Sequence, residues 1–88
     1  MTDNRMLELI EHLLYSCSVV GISREHFNIH LQDRGFVIEV AEESDLGCWL
    51  LSNNLEKWFD IKREKDVEST VDKVQELMEK FNEYYELV

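Results

Sequence analysis

Six carboxylates recur along the C-terminal part of the chain at spacings of three and four residues. They are Glu68, Asp72, Glu76, Glu79, Glu83 and Glu86. On a helix this spacing confines all six to an arc of about 80°, and the row extends about 27 Å at 1.5 Å per residue. The intervals, about one helical turn of ~5.4 Å, are comparable to those of phosphates along a nucleic-acid strand. The chemistry predicted for this acidic stripe is electrostatic binding of a basic partner.

A polar face is expected on any solvated helix, and glutamate is a good helix former there. The arrangement of the stripe nevertheless opposes helix stability. The pairs Glu68/Asp72 and Glu79/Glu83 lie four residues apart and each repels by roughly 0.2–0.5 kcal/mol. Glu83 and Glu86 also lie near the negative end of the helix dipole, where cations are favoured. Unfavourable local interactions that nothing nearby compensates indicate a functional role. We therefore predict that the stripe is a functional surface.

Two groups of residues could hold a metal ion. His26 and His30 are four residues apart, but the alternating apolar residues between them predict a strand, which separates the two rings by about 13 Å. Glu42, Glu43 and Asp45 could coordinate Ca²⁺, yet they do not match the twelve-residue loop with its central glycine and final glutamate. We therefore expect no metal site.

Catalytic groupings are absent from the sequence. Cys17 and His12 are five residues apart on one predicted helix, a spacing that does not aim the side chains at each other. Ser16 and Ser18 have no base beside them, and the isolated glycines form no phosphate-binding loop. We expect a protein that is not an enzyme and that uses no cofactor.

Helices are predicted at both ends of the chain. The first starts at Asp3 as N-cap, places its apolar residues on half of a helical wheel and ends near Gly21. The last starts near Asp66 as N-cap and runs to the C-terminus. Its apolar seam repeats at spacings of four and three opposite the acidic stripe. The seam comprises Val67, Val71, Val74, Met78, Phe81, Tyr85 and Val88.

Strands are predicted between these helices. Residues 27–32 and 36–40 alternate with a period of two around the connection 33–35, which predicts a β-hairpin. Residues 48–51 are predicted to be a third, buried strand. Residues 55–61 favour a fourth strand, although Asn53 and Glu56 are spaced as a helix capping box. The prediction is one α+β domain, 1–88, of order α-β-β-β-(β)-α, with both helices on one face of an antiparallel sheet.

The composition and charge of the chain disfavour several classes of protein function. The chain has 88 residues, 44% of them hydrophobic, and a formal charge of −10. This hydrophobic content disfavours intrinsic disorder, and the negative charge disfavours direct binding of nucleic acid or an anionic membrane. The one basic run, residues 62–65, is interrupted by an acid. Without a membrane-spanning run or a signal peptide, we expect a cytoplasmic protein in which Cys17 and Cys48 are buried, reduced thiols.

Two aromatic residues are candidate interface anchors. Tyr15 falls on the polar side of the first helix, and Trp58 falls between two acids if residues 55–61 are a strand. Large exposed aromatics dominate the energetics of many interfaces. The alternative is that Tyr15 packs against the sheet edge or a loop, and that Trp58 belongs to the core if its segment is helical.

These features predict a non-enzymatic inhibitor. Its acidic stripe, together with Glu42, Glu43 and Asp45, would meet a basic protein that acts on nucleic acid. In size, acidity and lack of catalytic residues the chain resembles small inhibitors such as phage anti-restriction and anti-CRISPR proteins and nuclease immunity proteins, a resemblance of composition that no motif carries. The alternative is a structural, adaptor or chaperone-like module that forms a homodimer through the C-terminal helix.

Overall fold

The computed structural model describes residues 4–87, which form an α+β domain as predicted. An N-terminal helix is followed by a short 3₁₀ turn, a hairpin, a second helix, a third strand and a long final helix. The elements are α1 (Asn4–Val19), the 3₁₀ turn (Arg24–His26), β1 (Phe27–Gln32), β2 (Gly35–Val40), α2 (Asp45–Ser52), β3 (Trp58–Ile61) and α3 (Glu64–Leu87).

The three strands form an antiparallel sheet of order β1-β2-β3. Pairing of Gln32 with Gly35 leaves two residues in the turn and confirms the predicted hairpin. Strand β2 also pairs with β3, with Phe36 opposite Ile61. Glycine is required at position 35, because a Cβ there would lie 2.2 Å from the Ile61 carbonyl oxygen.

The core lies on one face of the sheet, and both terminal helices cover that face, as predicted. Strand residues that alternate inward, such as Ile38 and Ile61, are fully buried. Leu13 of α1 and Val74 of α3 pack into the same cluster. Burial of apolar side chains, each contributing about 1.5–3 kcal/mol, therefore positions α3 against the sheet. The outer face carries Asn28, His30, Val37, Glu39, Trp58 and Asp60.

The prediction of a strand at residues 48–51 was wrong, because this segment belongs to helix α2. Ser44 is the N-cap, and its hydroxyl accepts the N–H of Gly47 at 3.0 Å and donates to the Ala41 carbonyl at 2.6 Å. Gly47 permits the close approach of the helix to residue 41, since a Cβ would lie 1.9 Å from the Ala41 carbonyl oxygen. A short apolar run has no period that separates a buried helix from a buried strand.

The segment 55–61 contains a strand, as predicted, over Trp58–Ile61. Residues 53–57 are irregular, so the capping-box spacing does not start a helix. Asn54 adopts a φ of 55°, a left-handed conformation that asparagine tolerates better than most residues. This turn follows the end of α2 and leads the chain back to the sheet.

Helix α3 starts at Glu64, two residues before the predicted N-cap. The Asp66 carboxylate accepts the N–H groups of Lys62 at 2.9 Å and Arg63 at 3.0 Å, so it caps the helix from within the first turn. The Lys62 hydrogen bond, opposed by partial burial and helped by the Arg63 bond, lowers the pKa of Asp66. The predicted N-cap Asp3 and the last seam residue Val88 lie outside the described residues.

The two cysteines have different environments. Cys17 is buried on α1, and this burial raises the pKa of its thiol to about 11. Cys48 is exposed on α2, so the prediction that it is buried was wrong; the helix turns it outward where the predicted strand turned it inward. No helix formed by residues 4–87 has the length and hydropathy needed to cross a membrane.

Candidate protein interface

The acidic stripe is exposed along α3. Buried residues Val67, Val74 and Leu77 hold the opposite side of the helix against the core. All six stripe residues are solvent-exposed. Within residues 4–87, Glu76 is the only one of the six that forms an ion pair, 3.4 Å from Lys80. The stripe is therefore a row of largely uncompensated carboxylates pointing away from the sheet.

Residues 42–45 do not form one acidic loop. Glu42 pairs with Lys57, which also donates to Glu39 at 3.3 Å. The Glu42 hydrogen bond, opposed by burial and helped by Glu39, raises the pKa of Lys57. Glu43 is exposed in a turn, whereas Asp45 is exposed in the first turn of α2. Glu42 is thus already matched by a cation, while Glu43 and Asp45 form no ion pair in the described part of the chain.

A polar cluster on the outer face of the sheet was not predicted. Its centre is Glu39, whose carboxylate lies 3.3 Å from a ring nitrogen of His30 and accepts from Asn28 at 3.5 Å as well as from Lys57. Burial alone would raise the pKa of Glu39, but these hydrogen bonds outweigh it and lower the pKa. The alternation of polar residues in β1 and β2 placed Asn28, His30 and Glu39 outside the core, but only the strand register brings them together.

Neither candidate aromatic anchor belongs to the stripe helix: Tyr15 lies on α1 and Trp58 on β3. Trp58 is 46% exposed on the outer face of the sheet, with its ring centroid 5.3 Å from that of His30 and 5.8 Å from Lys57 Nζ. Tyr15 on α1 is 71% exposed, so it does not pack against the sheet edge. Because α3 covers the inner face of the sheet, Trp58 and the stripe lie on opposite sides of the domain and cannot contact one flat partner surface together.

An aromatic cleft lies between α2 and the end of α3, which the sequence did not reveal because residues 48–51 were expected to be a strand. The rings of Trp49 and Phe81 are 5.8 Å apart, and that of Tyr84 lies 6.3 Å from Trp49 and 6.0 Å from Tyr85. The cleft has a volume of about 200 Å³ and also exposes Asp45. The structure thus places one of the loop acids beside the final turns of the stripe helix. The residues lining it are Asp45, Cys48, Trp49, Ser52, Asn53, Phe81, Tyr84 and Tyr85.

Basic residues gather at the other end of α3. Arg63 and Lys65 line a cleft with Arg5, and Lys62 lines the adjoining cleft with Arg5 and Arg34. The sequence indicated only the run 62–65, to which the fold adds one arginine from α1 and one from the β1–β2 turn. The two clefts also contain Glu8, Glu64 and Asp33, and the first turn of α3 holds Glu64 and Asp66, so this end of the helix carries mixed charge.

His26 lies at the end of the 3₁₀ turn, just before the strand that holds His30, and the two rings have different partners. The His26 ring lies 3.2 Å from the Ser23 carbonyl oxygen, whereas His30 is bound to Glu39 on the sheet. Among residues 4–87, no group of three or more His, Cys, Asp or Glu side chains is arranged to hold a metal ion.

Comparisons of the chain with protein-family models, with curated proteins and with solved structures gave no match.

Proposed function

We propose that this protein is a non-enzymatic inhibitor that binds a basic, nucleic-acid-acting protein through the acidic stripe of α3. The observation that carries the proposal is the exposure of six carboxylates on one helix face, with a single ion pair among them in the described residues. Because most of these carboxylates have no cationic partner within residues 4–87, the row projects a negative electrostatic potential into the solvent. This potential accelerates the encounter with a basic surface.

The dimensions of the stripe suit a groove that binds nucleic acid. Successive carboxylates rise by three or four residues, which corresponds to about 4.5 or 6 Å along the helix axis. Over about 27 Å the stripe presents six charges, whereas one DNA strand presents about eight at 3.4 Å per phosphate. The stripe would thus occupy basic side chains that otherwise contact phosphates, and the proposed mechanism is competition with nucleic acid.

The proposal is tested by competition against nucleic acid. The partner is first isolated from the native cell on the immobilised protein, eluted by a salt gradient and identified by mass spectrometry. Its binding to a fluorescent DNA or RNA duplex is then measured by anisotropy with increasing amounts of this protein. We expect wild type to displace the duplex, and the variant E68K/E79K/E83K to lose most of that ability.

A matched variant separates the position of the charges from their number. E11K/E25K/E56K changes three exposed glutamates on other elements. Each Glu→Lys adds two charges, so both triple variants move the formal charge from −10 to −4. The proposal requires the stripe variant to fail while the matched variant still displaces the duplex. If both variants lose the ability to displace the duplex equally, the effect depends on net charge and not on the position of the charges. If the stripe variant displaces the duplex as well as wild type does, the proposal is refuted.

A second candidate function is homodimerisation through α3 as an adaptor or chaperone-like module. It is favoured by the exposure of Tyr84 and Tyr85 at the end of the seam, 50% and 55% respectively. Val67, Val71 and Val74 are already buried inside the protein, so a dimer could use only the last turns. Sedimentation velocity at low and high salt tests it, since an apolar contact persists at high salt and steered binding to a basic partner does not.

A further inference from the structure

We propose that the aromatic cleft between α2 and α3 is a binding site for an arginine side chain of the basic partner. This inference rests on the proposed function and extends it, because it assigns the partner an anchor residue in addition to a basic groove. Three features of the cleft support a cationic, planar occupant: its rings, the charges around it and its size.

The rings supply the first feature. Trp49, Tyr84 and Tyr85 present aromatic surface to the cleft, and both tyrosines are about half exposed. Aromatic faces attract cations through their quadrupole, and tryptophan does so most strongly. A guanidinium group also stacks on such faces, which an ammonium group cannot do.

The surrounding charges supply the second feature. The cleft runs along α2, from Asp45 in its first turn to Ser52 at its end, and reaches the C-terminal turns of α3, which has no basic residue in its last turn. Helix C-termini carry partial negative charge and favour cations. Asp45 lines the cleft, and none of the lining residues is Lys or Arg. The site is built for positive charge and holds none of its own.

Size supplies the third feature. The volume of about 200 Å³ is below the roughly 300–1,000 Å³ of pockets that hold small molecules and cofactors. It is suited to a single side chain. Phe81 and Tyr85 belong to the seam, opposite the stripe, so a partner bound to the stripe reaches this cleft by wrapping around the end of α3.

The test compares an arginine peptide with a lysine peptide of equal charge. Capped tetra-arginine and tetra-lysine are titrated at low ionic strength into the protein carrying Trp58→Phe, so that Trp49 is the remaining tryptophan reporter. We expect tetra-arginine to bind about fivefold more tightly and to change the Trp49 emission. The variant Y84A/Y85A should bind both peptides equally, and Y84F/Y85F, which keeps the rings, should retain the preference.

The outcomes distinguish this inference from the proposed function. The double variant E68Q/D72Q removes two stripe charges far from the cleft. It should weaken the binding of both peptides alike and leave the arginine preference intact. If the protein does not prefer tetra-arginine to tetra-lysine, or if the preference persists in Y84A/Y85A, the proposed arginine site is wrong. The competition experiment on the stripe is unaffected by either result. If Y84A/Y85A instead dissolves a dimer seen in sedimentation velocity, the cleft is occupied by a second copy and the inference is wrong.

Discussion

Removing one charge from the middle of the stripe should stabilise the protein. Asp72 has Glu68 four residues before it and Glu76 four residues after it, and it forms no ion pair within residues 4–87. Each like-charge pair costs about 0.2–0.5 kcal/mol, so Asp72→Asn, which relieves two pairs at nearly constant shape, should raise the free energy of unfolding by about 0.4–1 kcal/mol. A surface retained for binding is thus expected to lower stability.

Urea unfolding followed by circular dichroism at 222 nm measures this change. With a slope of about 1 kcal/mol/M for a small protein, the midpoint should rise by about 0.4–1 M at low ionic strength. The gain should nearly vanish in 0.5 M salt, because the Debye length is then about 4 Å. Glu25→Gln, an exposed charge outside the long helices, is the control and should change little. A midpoint that falls, or a gain that salt leaves unaltered, would refute the reasoning.

Further predictions concern the framework that holds the site. Gly47→Ala should destabilise the protein by about 1–3 kcal/mol through overpacking, measured by urea unfolding, because its Cβ would meet the Ala41 carbonyl oxygen; a stabilised variant would contradict that contact. Asp66→Asn should lower stability at pH 7. Because folding lowers the pKa of Asp66, its carboxylate stabilises the folded state above the ordinary value of 3.8, and this stability is lost as the pH falls through the folded pKa. Thermal melts of variant and wild type should therefore converge in acid, and a difference that stays constant with pH would exclude this origin. A thiol reagent at pH 8 should modify Cys48 rapidly and buried Cys17 only on unfolding; two fast equivalents would contradict the packing of α1.

Long periodic segments were predictable from the sequence. The seam of α3 and the alternation of β1 and β2 each extend over enough residues to show one clear period, and the structure confirms the helix and the two strands. Exposure of the stripe follows from the same periodicity, because burial of Val67 and Val74 on one side of a helix turns Glu68 and Asp72 to the other.

Features that depend on distant contacts could not be read from the chain. Residues 48–51 are too few to show a period, and the Ser44 cap and the contact of Gly47 with Ala41 decide in favour of a helix. The aromatic cleft depends on that helix, since it places Trp49 beside Phe81. The outer-face cluster depends on Lys57 reaching Glu39 across 18 positions of sequence, a contact that only the fold brings about.

The association rate constant of this protein with its basic partner, measured by stopped-flow as a function of ionic strength, tests the central claim most directly. If the acidic stripe guides binding, the wild-type rate should fall at least about tenfold from low to high salt. The variant E68K/E79K/E83K should associate slowly at every ionic strength, while E11K/E25K/E56K, with the same formal charge, should keep a steep salt dependence. Equal rates and equal salt dependence in the two variants would contradict the claim that the stripe is the binding surface.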